Sequence, residues 1–240
     1  MKPTPEIDVA ASAPELAARV AAWIAAKIAA APKQFALNLS GGSTPKAVFQ
    51  LLAAEPLRSA IDWSKVEIFW GDERFVPFDH AMSNFRMTSE ALLAHVPIPP
   101  GQIHAVPVGA DSPEDAAALY DRMLREFYGA PALDPARPLF DVTLLGLGAD
   151  GHTASLFPGT AALDIRDALV SAVIGATAEP RITMTYPALT SSAEIAFLVS
   201  GDAKREILRR VLANDAALPA SRIETVGALR IFADHAAFGG

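Results

Sequence analysis

There is no cysteine among the 240 residues. That absence excludes a disulfide framework, a thiolate nucleophile and a cysteine-based zinc site, and it suits a cytoplasmic protein. Long apolar runs are also missing: the alanine-rich stretch 16–31 is interrupted by Arg19 and Lys27 and preceded by Glu6, Asp8 and Glu15. It is too short and too charged for a membrane span or a signal segment. Positive charge is in deficit, with 20 Lys and Arg against 27 Asp and Glu and a net charge of −7. This argues against nucleic acid or an acidic membrane as a general partner, while a local basic pocket remains free to hold an anion. HExxH, EF-hand and paired-histidine patterns are absent, and His80, His95, His104 and His235 fall in no ligand-like spacing, so neither metal nor other cofactor is expected. No Ser/Gly-rich or charge-rich linker divides the chain, and a single domain over 1–240 is expected.

What is present reads as alternating strands and helices. Hydrophobic residues make up 51% of the chain, enough for a sizeable core. Leu16, Val20, Trp23, Ile24 and Ile28 recur at spacings of three and four, the signature of one buried helix face, with Pro14 in its first turn after Ser12 or Ala13. Strands are expected at 35–39, 66–70, 103–108, 139–145, 168–173, 194–200 and 229–232. Further helices are expected at 46–54, 84–95, 113–128 and 204–212. That alternation implies an α/β fold with a largely parallel sheet covered on both faces.

The polar residues concentrate in loops that follow strands, where open α/β sheets bind ligands. SGGSTP at 40–45 offers Gly41 and Gly42 for close backbone approach, the hydroxyls of Ser43 and Thr44, and Pro45 for a first helical turn. It reads either as an anion cradle at a helix N-terminus or as a plain strand-to-helix turn. It matches neither Walker A nor GxGxxG spacing. GDERFVP at 71–77 presents Asp72, Glu73 and Arg74, suited to sugar hydroxyls and a phosphate, or to a solvated turn with local ion pairs. In SNFRM at 83–87, Asn84 and Arg86 are candidate ligand contacts, with capping by Ser83 or Asn84 as the competing role. GLGADGHTASLFPG at 146–159 places Asp150 and His152 in a glycine-rich turn behind an apolar strand. A histidine there is a candidate base, against the plainer reading of a hydrogen-bonded loop histidine. Arg181 and Lys204 would complete a basic pocket if they converge on it.

In their order and spacing, SGGSTP, GDERFVP, SNFRM, GLGADGHTASLFPG, the Arg181 segment and GDAKRE at 201–206 resemble the 6-phosphogluconolactonases of the glucosamine/galactosamine-6-phosphate isomerase superfamily. The resemblance runs from about Leu37 to Ile207. It implies the Rossmann-like fold shared with glucosamine-6-phosphate deaminase, and hydrolysis of a phosphosugar lactone in the oxidative pentose phosphate pathway. It also implies His152 as the base, helped by Asp150, with Gly41, Gly42, Ser43, Thr44, Asp72, Arg74, Asn84, Arg86, Arg181 and Lys204 around the substrate. The deaminases are the competing family, but their DGH block continues to a glutamate before Pro-Gly where this chain has Phe157, which can neither take nor give a proton. A regulatory sugar-phosphate sensor would bind without turnover. The residues leave oligomeric state open, with a monomer favoured.

Overall fold

The structure, a computed structural model, describes residues 4–225 and 227–239. In chain order its elements are β1 (Glu6–Ala10), α1 (Ala13–Ala30), β2 (Phe35–Leu39), α2 (Ser43–Leu52), α3 (Leu57–Ala60), β3 (Val66–Trp70), β4 (Asp72–Arg74), α4 (Asn84–Ala91) and β5 (Ile103–His104). They continue as α5 (Pro113–Tyr128), β6 (Phe140–Leu145), β7 (Val170–Val173), β8 (Arg181–Met184), α6 (Tyr186–Thr190), β9 (Ser192–Val199), α7 (Arg205–Leu212), β10 (Ala228–Asp234) and α8 (His235–Phe238). Seven strands form one sheet in the order β1-β10-β9-β6-β2-β3-β5, and every pair in it is parallel. All five residues of β2 and of β3 are buried, as both faces of a helix-covered parallel sheet must be.

The chain moves one way from β2 to β3 and β5, then returns to place β6 on the other side of β2. The loops leaving β2 and β6 therefore diverge at a topological switch point, and a crevice opens beyond the carboxyl ends of the strands. This is the feature of the fold that positions the site.

Local chemistry sets the element ends. Ser12 caps α1 by accepting the Glu15 N–H, with Pro14 in the first turn; Ser112 caps α5 in the same way, and Gly129 closes that helix in the left-handed conformation. Some expected elements are shorter than their pattern. The strand expected over 103–108 pairs only at Ile103 and His104, because Pro107 has no N–H to give and the Val108 N–H turns back to the Val106 carbonyl at 2.8 Å. The helix expected over 84–95 ends at Ala91, where Leu92 leaves helical geometry before a short 3₁₀ turn at 93–95.

Three strands lay outside the sequence expectations. Edge strand β1 pairs with β10, and β4, expected as a loop, joins β8 and β7 in a separate antiparallel sheet. Helix α5 packs on β7 and β8. It also completes the main sheet, for β5 is too short to partner the end of β3. The buried Tyr120 hydroxyl stands in for the missing strand, accepting from the Trp70 N–H at 3.0 Å and donating to the Trp70 carbonyl at 3.2 Å. Its burial pushes the phenol pKa far above the ordinary tyrosine value. Tyr120→Phe leaves two buried backbone groups without partners and should cost about 1–3 kcal/mol, measurable by urea denaturation.

Candidate active site

The cleft at the switch point has a volume of about 400 Å³. Its wall brings together the turn after β2 (Ser40, Gly41, Gly42), the small sheet (Asp72, Arg74, Arg181), Asn84, the loop after β6 including His152, and Lys204 after β9. Phe157 and Thr177 complete the parts of the wall that concern the chemistry.

His152 is held by its own turn. The Asp150 carboxylate accepts from the His152 backbone N–H at 3.1 Å and stands 2.5 Å from ring Nδ1. With Nδ1–H directed at a carboxylate, Nε2 keeps its lone pair. Burial works to raise the Asp150 carboxyl, but the His152 N–H and imidazole outweigh it and hold the group below the usual carboxylate range. The Phe157 ring lies against the imidazole, centroids 4.5 Å apart. Gly148 makes the arrangement possible: a Cβ there would stand 2.1 Å from His152 Nδ1 and 2.7 Å from Asp150 Oδ1. The loop is tied down by the Gly148 N–H to the His152 carbonyl (2.8 Å) and by Thr153 Oγ1–H to the Gly146 carbonyl (2.9 Å). The letters of 146–151 fit GxGxxG, yet only turns follow, so the helix a dinucleotide site needs does not open there.

The basic groups converge. Arg74 and Arg181 are direct partners in the β4–β8 ladder, an arrangement of like charges that is unfavourable without an anion nearby. Arg74 donates to the Met82 carbonyl (2.6 Å) and to Asn84 Oδ1 (3.0 Å), while its buried Nε finds no partner among the described residues. Arg181 Nε donates to Thr177 Oγ1 at 3.0 Å. Burial, and then the Arg74 charge, push the Arg181 guanidinium below its usual range, against the opposing pull of Asp72, Glu179 and Glu73. Helix α2 starts at Ser43 with Gly42 as an N-cap that offers no side chain, leaving first-turn N–H groups available at the cleft edge.

Several expected residues take other places. Ser43 and Thr44 do not line the cleft; both fall inside α2, past the turn whose wall residue is Ser40. Pro45 is accordingly the third residue of that helix, and neither hydroxyl caps it. Arg86 also lies off the wall, because its exposed guanidinium is engaged by Glu90 and the Asp79 carbonyl. The cap of α4 is Ser83, which accepts the Arg86 N–H. Asn84 instead donates to the Asp72 carbonyl (2.9 Å) as it accepts from Arg74, packed so close to Gly41 that a Cβ there would stand 2.0 Å from its Oδ1. Glu73 points away from the cleft. At 1% exposure its carboxylate accepts the N–H groups of Arg74, Asn84 and Phe85 and the Ser83 hydroxyl. Burial raises its pKa, and those backbone donors offset this only in part.

Fold and site together define an α/β domain that can hold an anion on one wall of a cleft and face it with a carboxylate-oriented imidazole. The chain belongs to the family described as glucosamine-6-phosphate isomerases/6-phosphogluconolactonase, which it matches over residues 8–231. A 6-phosphogluconolactonase of Nostoc sp. is 43% identical over 229 residues, covering 92% of each chain. The crystal structure of 6-phosphogluconolactonase from Thermotoga maritima superimposes with a TM-score of 0.81 at 29% identity, covering 96% of this chain and 99% of that one. A monomeric glucosamine-6-phosphate deaminase superimposes equally well, TM-score 0.81, over 97% of this chain and 98% of that one, but at 21% identity it shares the fold alone.

Gly148→Ala should leave the melting temperature nearly unchanged, since its clash falls on partly exposed side chains, yet separate His152 from Asp150; thermal melting alongside the NMR spectrum of the imidazole checks both halves. Glu73 yields a prediction in pH. A carboxyl whose folded pKa is raised above its unfolded value of about 4.3 stabilises the fold below that value, and this contribution is lost as pH rises through the folded pKa. Denaturation curves across acid pH should show the natural protein losing stability relative to Glu73→Gln as pH rises.

Proposed function

We propose that this chain hydrolyses 6-phospho-D-glucono-1,5-lactone to 6-phospho-D-gluconate, with His152 as general base. The observation that carries the reading is the convergence of Arg74, Arg181 and Lys204 on the cleft that also contains His152. A phosphorylated sugar supplies the anion those cations lack, and its lactone carbonyl gives the imidazole a reaction to assist. The names of the relatives support the same substrate.

A δ-lactone is an activated ester, so no covalent nucleophile is required. Nε2 of His152 removes a proton from water as the water oxygen bonds to C1. The tetrahedral intermediate then collapses, the C1–ring-oxygen bond breaks, and the imidazolium returns its proton to the departing ring oxygen. Asp150 fixes the tautomer and steadies the imidazolium that forms. Arg74, Arg181 and Lys204, with the Gly41–Gly42 turn, hold the phosphate, and one of these cations faces the oxyanion at C1. Asp72, a carboxylate, suits sugar hydroxyls rather than phosphate. The reaction needs no cofactor. Phe157 argues against ring-opening deamination, because an aromatic ring lies against His152 where the deaminases carry a glutamate. As an enzyme of carbohydrate metabolism acting on a small metabolite, it would work in the cytoplasm, and among the described residues no helix is long and apolar enough to cross a membrane.

The test is hydrolysis of freshly prepared lactone, without added metal, against its spontaneous rate, with ammonia release from glucosamine 6-phosphate followed in parallel. Lactone turnover alone is expected. His152→Ala should then lower kcat by about 10²–10⁴, and Arg181→Ala should chiefly raise KM. Ammonia release would overturn the reading in favour of deamination, and ligand binding without either reaction would make the chain a sensor.

A further inference from the structure

The small sheet sets a carboxylate among the guanidinium groups it presents to the cleft. Asp72 pairs with Thr183 and Arg74 with Arg181 in the β4–β8 ladder. Since side chains alternate along a strand, these four share one face, and Asp72 is the diagonal neighbour of Arg181. That spacing lies within reach of an arginine. Asp72 and Arg181 are nearly as buried as each other, 8% and 9% exposed, where an opposite charge is the strongest partner available. The Asp72 charge acts on Arg181 through space. Yet among the described residues no ion pair joins Asp72 to Arg181 or to Arg74, though the structure has many others.

Ser155 engages Asp72 instead. Its hydroxyl, on a side chain of a residue only 1% exposed, donates to Asp72 Oδ2 at 2.7 Å. Its backbone N–H donates to Thr183 Oγ1 at 3.1 Å, the residue opposite Asp72. Ser155 is thus fixed at two points on the small sheet and cannot follow the carboxylate if it turns. Arg181 meanwhile is occupied by the neutral Thr177 hydroxyl, and Arg74 by a carbonyl and an amide oxygen. Both cations are oriented without being neutralised.

We infer that Ser155 is a positioning residue that restrains Asp72 from forming an internal ion pair with Arg181, and so keeps the cleft open to an external phosphate. The inference rests on the phosphate reading of the cleft. Without the Ser155 hydroxyl, Asp72 turns one diagonal step to Arg181, and the protein's own carboxylate competes with the ligand for the guanidinium.

The test is calorimetric titration of the purified chain with inorganic phosphate, which reads the anion site independently of the chemistry at His152. Ser155→Ala should weaken phosphate binding about tenfold, the size of one charge-assisted contact. Asp72→Asn, which removes the competing charge, should bind phosphate at least as tightly as the natural protein. In the Asp72→Asn background, Ser155→Ala should change binding by less than about twofold, because the coupling acts through Asp72. An equal tenfold loss in both backgrounds would mean that Ser155 acts on the His152 loop instead, and the inference would fall. Unchanged binding in Ser155→Ala overturns it too. If Ser155→Ala does not fold, Asp72→Asn decides alone, weaker phosphate binding in that variant being the adverse result. Failure of the natural protein to bind phosphate would remove the phosphate reading itself, a result separable from phosphate binding that is indifferent to Ser155.

Discussion

Arg74 and Arg181 face the same cleft from directly opposed positions of two strands, and keeping two guanidinium groups there is the constraint around which the site is built. Like charges in that register repel, and burial withholds the water that would screen them. The surroundings respond by holding each group with neutral acceptors: Met82 and Asn84 for Arg74, Thr177 for Arg181. Asn84 is in turn held through its N–H by Glu73 and fits only because Gly41 has no side chain. An anion set between the two guanidinium groups would offset that repulsion.

Apart from Asp72 on the wall, the carboxylates around the site lie one layer behind the cleft. Glu73 gathers three backbone N–H groups around Arg74 and Asn84. Asp150 orients the imidazole. Asp234, at the end of β10, accepts the Gly201 N–H and the Ser200 hydroxyl and caps α8 through the Ala237 N–H, which anchors the turn leading to Lys204. In each case an acidic group binds backbone or a neutral side chain rather than a cation of the site. A loop fixed this way is rigid without being discharged, which a preformed anion site requires.

The main sheet was legible because its interior strands are mostly apolar: 35–39 and 66–70, each with a single polar residue (Asn38, Glu67), stand out as short hydrophobic runs between turn signals, and both are strands. The small sheet was not. Asp72, Glu73 and Arg74 have the composition of a surface turn, and only pairing with β8 makes them a strand, so their conformation is a tertiary effect that no local pattern records. Missing that strand also hid the direction of Glu73. Alternation would have sent it to the face opposite Asp72 and Arg74, toward the backbone of α4. Residue type and neighbourhood alone point Ser43, Thr44 and Arg86 toward the cleft. The position of a helix start and an i to i+4 partner, Glu90, decided against their reaching the wall. Ser155 carries no signal in the sequence, because the acceptor of its buried hydroxyl lies 83 residues away in the chain.

For a chain of net charge −7 to hold an anion, it must do so against its own long-range field. At physiological ionic strength that field is screened beyond about 8 Å, so what a ligand meets inside the cleft is set by the nearest groups. There Arg74, Arg181 and Lys204 outnumber Asp72 among the charged residues lining the cleft. Surface ion pairs such as Arg209 with Glu206 or Arg210 with Asp215 are neutral as pairs, and the surplus acid includes carboxylates that bind backbone behind the wall, such as Glu73 and Asp234. Net charge therefore weakens approach from a distance and leaves recognition at contact intact. The same separation explains why composition argues against a polyanionic partner, which must lie along an extended surface, while giving no argument against a small phosphate held in one pocket.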